Sequence, residues 1–206
     1  MKQNIRLLSI TESLYRQLSK ITKEQIDQLV LKFQKGNNES FMKLYEHFYV
    51  KIFRYIYVKC GQVQDSENLT QEVFIKAYKS IASFKFKVEG DYRPSFSSWI
   101  FTIARNQTID YFRKNSGKIE PSIYDITEKS LSTSSNLEEK LDDKLLLNKV
   151  VQNMQYLTKL QKEVITLRFT SQMSLKETSI ILNKNVNSIK SLQHSAIKKL
   201  RDLINE

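Results

Sequence analysis

Cysteine, proline, glycine, histidine and tryptophan are all scarce in this chain: among 206 residues there are one Cys, two Pro, four Gly, two His and one Trp. A single thiol, Cys60, cannot close an internal disulfide, and two His with one Cys leave no zinc-ligand constellation. So little Gly and Pro argues against an all-β or Rossmann-type protein, and long stretches of Leu, Lys, Ile, Gln and Glu run without a breaker. No run of about 18 apolar residues exists, and the first thirty residues mix apolar and charged positions without an apolar signal core, so neither membrane insertion nor export is expected and the cytoplasm fits best. A Gly-rich phosphate loop, a nucleophile–base arrangement and a metal set are all missing. No catalytic residue, metal or cofactor is therefore assigned, and an enzyme is the least favoured reading.

What is abundant is positive charge. The formal net charge is +11 and the pI about 9.6, which points to an acidic partner, with nucleic acid ahead of an anionic membrane surface. Its distribution says more than its sum. Residues 79–118 carry eight Lys or Arg against three acids, and residues 144–206 carry eleven against four. Between them, residues 119–143 hold seven Asp or Glu against Lys129 and Lys140, a net of −5, together with Pro121 and the run Leu131-Ser132-Thr133-Ser134-Ser135-Asn136. Little apolar periodicity is available there for burial, so the segment reads as a flexible acidic linker, either a solvated loop or one with a task of its own.

The rest of the chain has helical spacing. Thr22 with Gln25 forms a capping-box pattern, and Ile26, Leu29, Val30 and Phe33 follow up to Gly36, predicting a helix over about 23–35. Phe41, Leu44, Tyr45, Phe48, Tyr49, Ile52, Phe53, Ile56 and Tyr57 form an aromatic stripe up to Gly61, which is read as core. A third helix to about Ile81 turns Leu69, Val73, Ala77 and Ile81 inward and Asn68, Gln71, Glu72 and Lys79 outward. No cation occurs between residues 61 and 72, so this outer face is either a protein-docking surface or a solvated one. Aromatics and cations then mingle from Phe84 through Arg93 to Phe96, a composition suited to stacking on unpaired bases and following phosphates. The next helix, to about Lys114, buries Ile100, Ile103, Ala104 and Trp99 and presents Arg105, Asn106, Arg113 and Lys114.

After the linker, one helix is expected over Leu145 to Leu157 and another from Thr158 through Phe169. Ser174 caps a third with Glu177 at capping-box distance. Asn183 supplies a turn, and Asn187 is the expected start of the last helix. There Ile189, Leu192, Ala196, Ile197 and Leu200 face inward, while Ser188, Lys190, Ser191, Gln193, His194 and Lys198 point outward or flank that stripe. Helix, short turn and polar cationic helix is the pattern of a helix-turn-helix, whose second helix enters the major groove.

The segments Asp65-Ser66-Glu67-Asn68-Leu69-Thr70-Gln71-Glu72-Val73-Phe74, Trp99 to Asn106 and Ile109-Asp110-Tyr111 resemble the second domain of bacterial sigma factors of the extracytoplasmic-function (ECF) type. Leu160 to Ile165 and Ile189 to Leu200 resemble the fourth domain, in the same order and spacing. The resemblance implies an all-α fold of two small helical domains: an extension at 1–22, the second domain at 23–116, the linker at 117–143 and the fourth domain at 144–206. It further implies that Asp65, Asn68, Gln71 and Glu72 dock on the β′ clamp helices of core RNA polymerase, with the β flap as a second contact. Phe96, Arg105, Asn106, Arg113 and Lys114 would meet the downstream promoter element, and Ser188, Lys190, Ser191, Gln193, His194 and Lys198 the upstream one. A cognate anti-sigma factor is a further partner the family admits. Asn68 stands where an Asp is usual. The competing reading is a stand-alone helix-turn-helix regulator whose front half senses a signal or dimerises.

Overall fold

The computed structural model describes residues 21–86, 94–115, 150 and 152–205. The N-terminal extension up to residue 20, the acidic linker, the expected helix positions 145–149 and residues 87–93 of the aromatic and cationic loop lie outside the described residues. Every described element is helical.

Among the described residues, four helices form the first group. The first, α1 (Lys23–Gln34), begins at the predicted capping box: Thr22 Oγ1 accepts from the Gln25 N–H and Gln25 Oε1 from the Thr22 N–H at 2.8 Å. The aromatic helix α2 (Asn38–Cys60) is capped by Asn37, whose Oδ1 accepts from the Ser40 N–H at 3.0 Å, and it stops at Gly61, where φ is 69°. A side chain there would meet the left-handed penalty that glycine avoids. Helix α3 (Val63–Ser80) runs into a 3₁₀ turn, Ile81–Ser83. The Gln34 side chain donates to the carbonyls of Ile81 and Phe84, both at 2.8 Å, tying the end of α1 to that turn. Helix α4 (Phe96–Lys114) is capped by the Ser95 hydroxyl, which accepts from the Ser98 N–H.

The second group opens with a 3₁₀ turn at Met154–Tyr156 and continues with α5 (Lys159–Ile165), a π-helical stretch at Thr166–Thr170, α6 (Leu175–Ile181) and α7 (Val186–Asn205). Capping boxes open α5 at Thr158 with Gln161 and α6 at Ser174 with Glu177. Asn183 takes the left-handed turn conformation, with φ 50°. The last helix starts one residue before the expected Asn187, because the capping side chain is Asn185, whose Oδ1 accepts from the Ser188 N–H at 2.7 Å.

The two groups share the larger of two buried clusters, the smaller one (Met154, Leu157, Ile165, Ala196 and Leu200) lying within the second group. Val164, Leu167, Met173, Ile181, Leu182 and Ile189 of the second group belong to the same buried cluster as Leu44, Phe48, Tyr55, Phe96, Ile100 and Phe101 of the first. Glu163 enters the seam with only 16% of its side chain exposed, accepting from the Tyr55 hydroxyl at 3.1 Å and pairing with Lys59. Ser95 donates to Glu177 at 2.8 Å on the α4–α6 side of the same seam.

Candidate polymerase and nucleic-acid interfaces

Three surfaces carry the residues singled out above. On α3, Leu69, Val73 and Ala77 are buried, which leaves Asn68, Gln71 and Glu72 exposed on the opposite side, as the helical period requires. Asp65 differs: it is half-buried and accepts from the Tyr111 hydroxyl at 2.5 Å. That phenol is pushed up to about 12, by burial first and then by the hydrogen bond to Asp65. Glu72 also accepts a hydrogen bond from α4, from Gln107 Nε2 at 2.8 Å, and Gln107 in turn accepts from the Lys76 ammonium. Ile75 lies on the same exposed side of α3, 54% accessible, so the face combines carboxylate, amide and apolar groups.

On α4 the expected nucleic-acid residues divide. Asn106, Arg113 and Lys114 are exposed, Arg113 in a surface ion pair with Asp110 at 3.1 Å that contributes little and leaves the guanidinium available. Phe96 is the correction. Its ring is fully buried between Phe48, Phe84 and Trp99, at centroid distances of 5.5, 5.9 and 5.4 Å, and has no face free for a base. As the first residue of α4, immediately after the Ser95 cap, it is drawn into the core with Ile100 and Phe101 rather than left with the loop. Arg105 is half-buried, its Nε enclosed without a hydrogen-bond partner. Its charge acts on Tyr55 at the seam, where burial and Glu163 hold the phenol well above its ordinary range and Arg105 opposes them. Arg105 is therefore less open to solvent than its neighbours Asn106 and Arg113.

On α7 the inner stripe of Ile189, Ala196 and Leu200 is buried, and Lys190, Ser191, His194 and Lys198 are exposed. Ser188 and Gln193 are half-buried. Gln193 Oε1 accepts from Arg168 Nε at 2.9 Å, while Arg168 also donates to the Met173 carbonyl. A residue of the π-helical stretch thus orients the Gln193 amide on α7, holding its oxygen toward Arg168. Sequence periodicity missed Arg168, and equally the exposed Lys184 and Asn185 just before α7 and Asn187 in its first turn. The one available signal was position, since polar residues at the start of a helix-turn-helix's second helix are those nearest the groove.

The seam holds a cavity of about 440 Å³ bordered by Lys23, Lys51, Ser95, Lys176 and Glu177. Burial lowers the Lys51 pKa and Glu177 partly opposes that shift.

The chain that carries these surfaces is similar to known proteins. The family model for sigma-70 region 2 matches residues 44–118, which hold α3 and α4, and that for sigma-70 region 4 matches 154–202, which hold the helix-turn-helix. The ECF RNA polymerase sigma factor SigW of Bacillus subtilis is 30% identical over 193 residues, covering 86% of this chain and 98% of SigW. This chain belongs to the ECF sigma factor family. BldN of Streptomyces coelicolor, another ECF sigma factor, is 32% identical over 180 residues, again 86% of this chain but 65% of BldN. A solved structure of the sigma factor RpoE from Bartonella quintana, in complex with the anti-sigma factor NepR, shares the fold with a TM-score of 0.59 at 20% identity, over 81% of this chain and 98% of that one. No helix among the described residues of this sigma factor is long and apolar enough to cross a membrane.

Proposed function

We propose that this ECF sigma factor binds core RNA polymerase through the exposed side of α3 and directs it to promoters through α4 and α7, without catalysis of its own. The observation that carries the reading is the joint presence, in order, of both matched sigma regions, each with its characteristic outer face accessible: Asn68, Gln71 and Glu72 on α3, and Lys190, Ser191, His194 and Lys198 on α7. A stand-alone helix-turn-helix regulator would account for α7 alone and would leave the α3 face without a task.

In this reading the carboxylate, amide and apolar groups of α3 meet the β′ clamp helices, and the second group meets the β flap. Asn106, Arg113 and Lys114 follow the downstream element, with Arg105 joining them when the seam loosens and Phe96 contributing only as core. The start of α7 enters the major groove of the upstream element, where amides and ammonium groups meet base edges and phosphates. An anti-sigma factor, of the kind bound to the Bartonella relative, is a candidate regulator.

The test of the whole is reconstituted initiation with core polymerase. For the upstream contact, Lys190→Ala is expected to weaken promoter binding by the holoenzyme and to lower the slope of log affinity against log salt by about 1, the signature of one lost phosphate contact. An unchanged slope would remove Lys190 from the phosphate contacts.

A further inference from the structure

We propose that Gln107 and Tyr111 of α4 are positioning residues for Glu72 and Asp65 of α3, so that one hydrogen-bonded helix pair carries both polymerase docking and promoter capture. The inference rests on the reading of the α3 face as the polymerase surface.

The two contacts form a ladder. Tyr111 meets Asp65 at 2.5 Å and Gln107 meets Glu72 at 2.8 Å, so ascending positions on α3 pair with descending positions on α4, as antiparallel helices require. Asp65 and Glu72 are seven residues apart and Gln107 and Tyr111 four, spacings that keep each pair on one side of its helix. Lys76, one turn beyond Glu72, closes the ladder on Gln107.

Gln107 is only 6% exposed, and its partners leave its amide a single orientation. A carboxylate can only accept and an ammonium can only donate, so the NH₂ must face Glu72 and the carbonyl Lys76. A Glu at this position would set two carboxylates against each other, and an apolar residue would satisfy neither neighbour. Glu72 is exposed, and an exposed glutamate samples many rotamers. A bond from a buried amide selects among them while leaving the carboxylate further acceptor capacity for a partner. Asn106, adjacent to Gln107 in sequence, points to solvent on the proposed DNA side. Neighbouring residues of α4 thus serve different sides of the helix.

The test is a double-mutant cycle on the full chain, with affinity for core polymerase as the readout and circular dichroism with thermal melting as the check on folding. Gln107→Met keeps the length of the side chain and removes both hydrogen bonds. It is expected to weaken core binding about threefold to tenfold in the wild-type background, and to have little further effect once Glu72→Ala is present. Should Gln107→Met compromise folding, Tyr111→Phe removes one hydroxyl at a half-buried site and is read the same way against Asp65→Ala. If Glu72→Ala and Asp65→Ala leave core affinity unchanged, the α3 reading itself fails. If they weaken binding, yet Gln107→Met and Tyr111→Phe bind as the wild type does or their costs add in full to those of the alanine variants, the positioning role is overturned and the α3 reading stands.

Discussion

Replacing Phe96 with alanine is expected to cost about 3–5 kcal/mol of folding stability, the range for deleting a buried aromatic ring. The ring is fully enclosed by Phe48, Phe84 and Trp99, so its removal forfeits those contacts and leaves a cavity that the helices can only partly close. For a chain of this size that corresponds to a fall in melting temperature on the order of 10 °C. Phe96→Leu, which keeps most of the apolar volume, should lose much less, and its affinity for promoter DNA in the holoenzyme should stay near wild type. An alanine variant that melted normally but lost promoter binding would put the ring on the surface, against a base, as its place beside an aromatic and cationic loop had suggested.

The second large effect is expected at the seam. Glu163 is the acceptor for both the Tyr55 hydroxyl and the Lys59 ammonium, and Lys59 lies 4.7 Å from the Tyr55 ring centroid. Glu163→Ala leaves a fully buried hydroxyl and a largely buried ammonium without an acceptor, a cost of roughly 1–3 kcal/mol. The two helical groups can avoid that cost by separating, because the chain between them is long enough to let them part. The alanine variant should therefore show a larger radius of gyration by small-angle scattering together with a lower melting temperature. Glu163→Gln keeps one acceptor oxygen and should change both less. A variant with unchanged dimensions and unchanged melting would mean that the seam is held by its apolar contacts alone.

Tyr55 also shows where sequence reasoning reached its limit. The stripe from Phe41 to Tyr57 marks one buried face of α2 by its period, and most of that face lies in the core. Tyr55 stands off the stripe, yet Tyr55, Ile56 and Tyr57 are all buried in succession. Three consecutive buried positions mean a helix covered on more than one side. Periodicity says that a face is covered but not by what, and the partner, Glu163, is more than a hundred residues away in the chain. The helix ends were legible because capping is local: Thr22 with Gln25, Ser174 with Glu177, Gly61 and Asn183 each act within a few residues of where they stand.

The exposure of the candidate interface residues was legible to the same degree. Asn68, Gln71 and Glu72 follow from the period of α3, and Lys190, Ser191, His194 and Lys198 from that of α7, since exposure is the complement of a buried stripe. What holds those residues was not legible. Gln107, Tyr111 and Arg168 act across helix pairs, and nothing in their own segments distinguishes a polar residue that braces a neighbour from one that faces water. Arg105 illustrates the reverse case: adjacent to exposed Asn106 but turned from it by less than a third of a helical turn, it is half-buried with its Nε enclosed, enough to separate their surroundings.

The most direct test of the central claim is initiation itself. Purified chain is added to core RNA polymerase with genomic promoter fragments, beside a gel shift of the chain alone. Promoter-specific transcripts that appear only when chain and core are both present are the result predicted here. Tight binding of duplex by the chain alone, with no promoter-specific initiation gained by core, would contradict it and make the front half a sensing or dimerising domain.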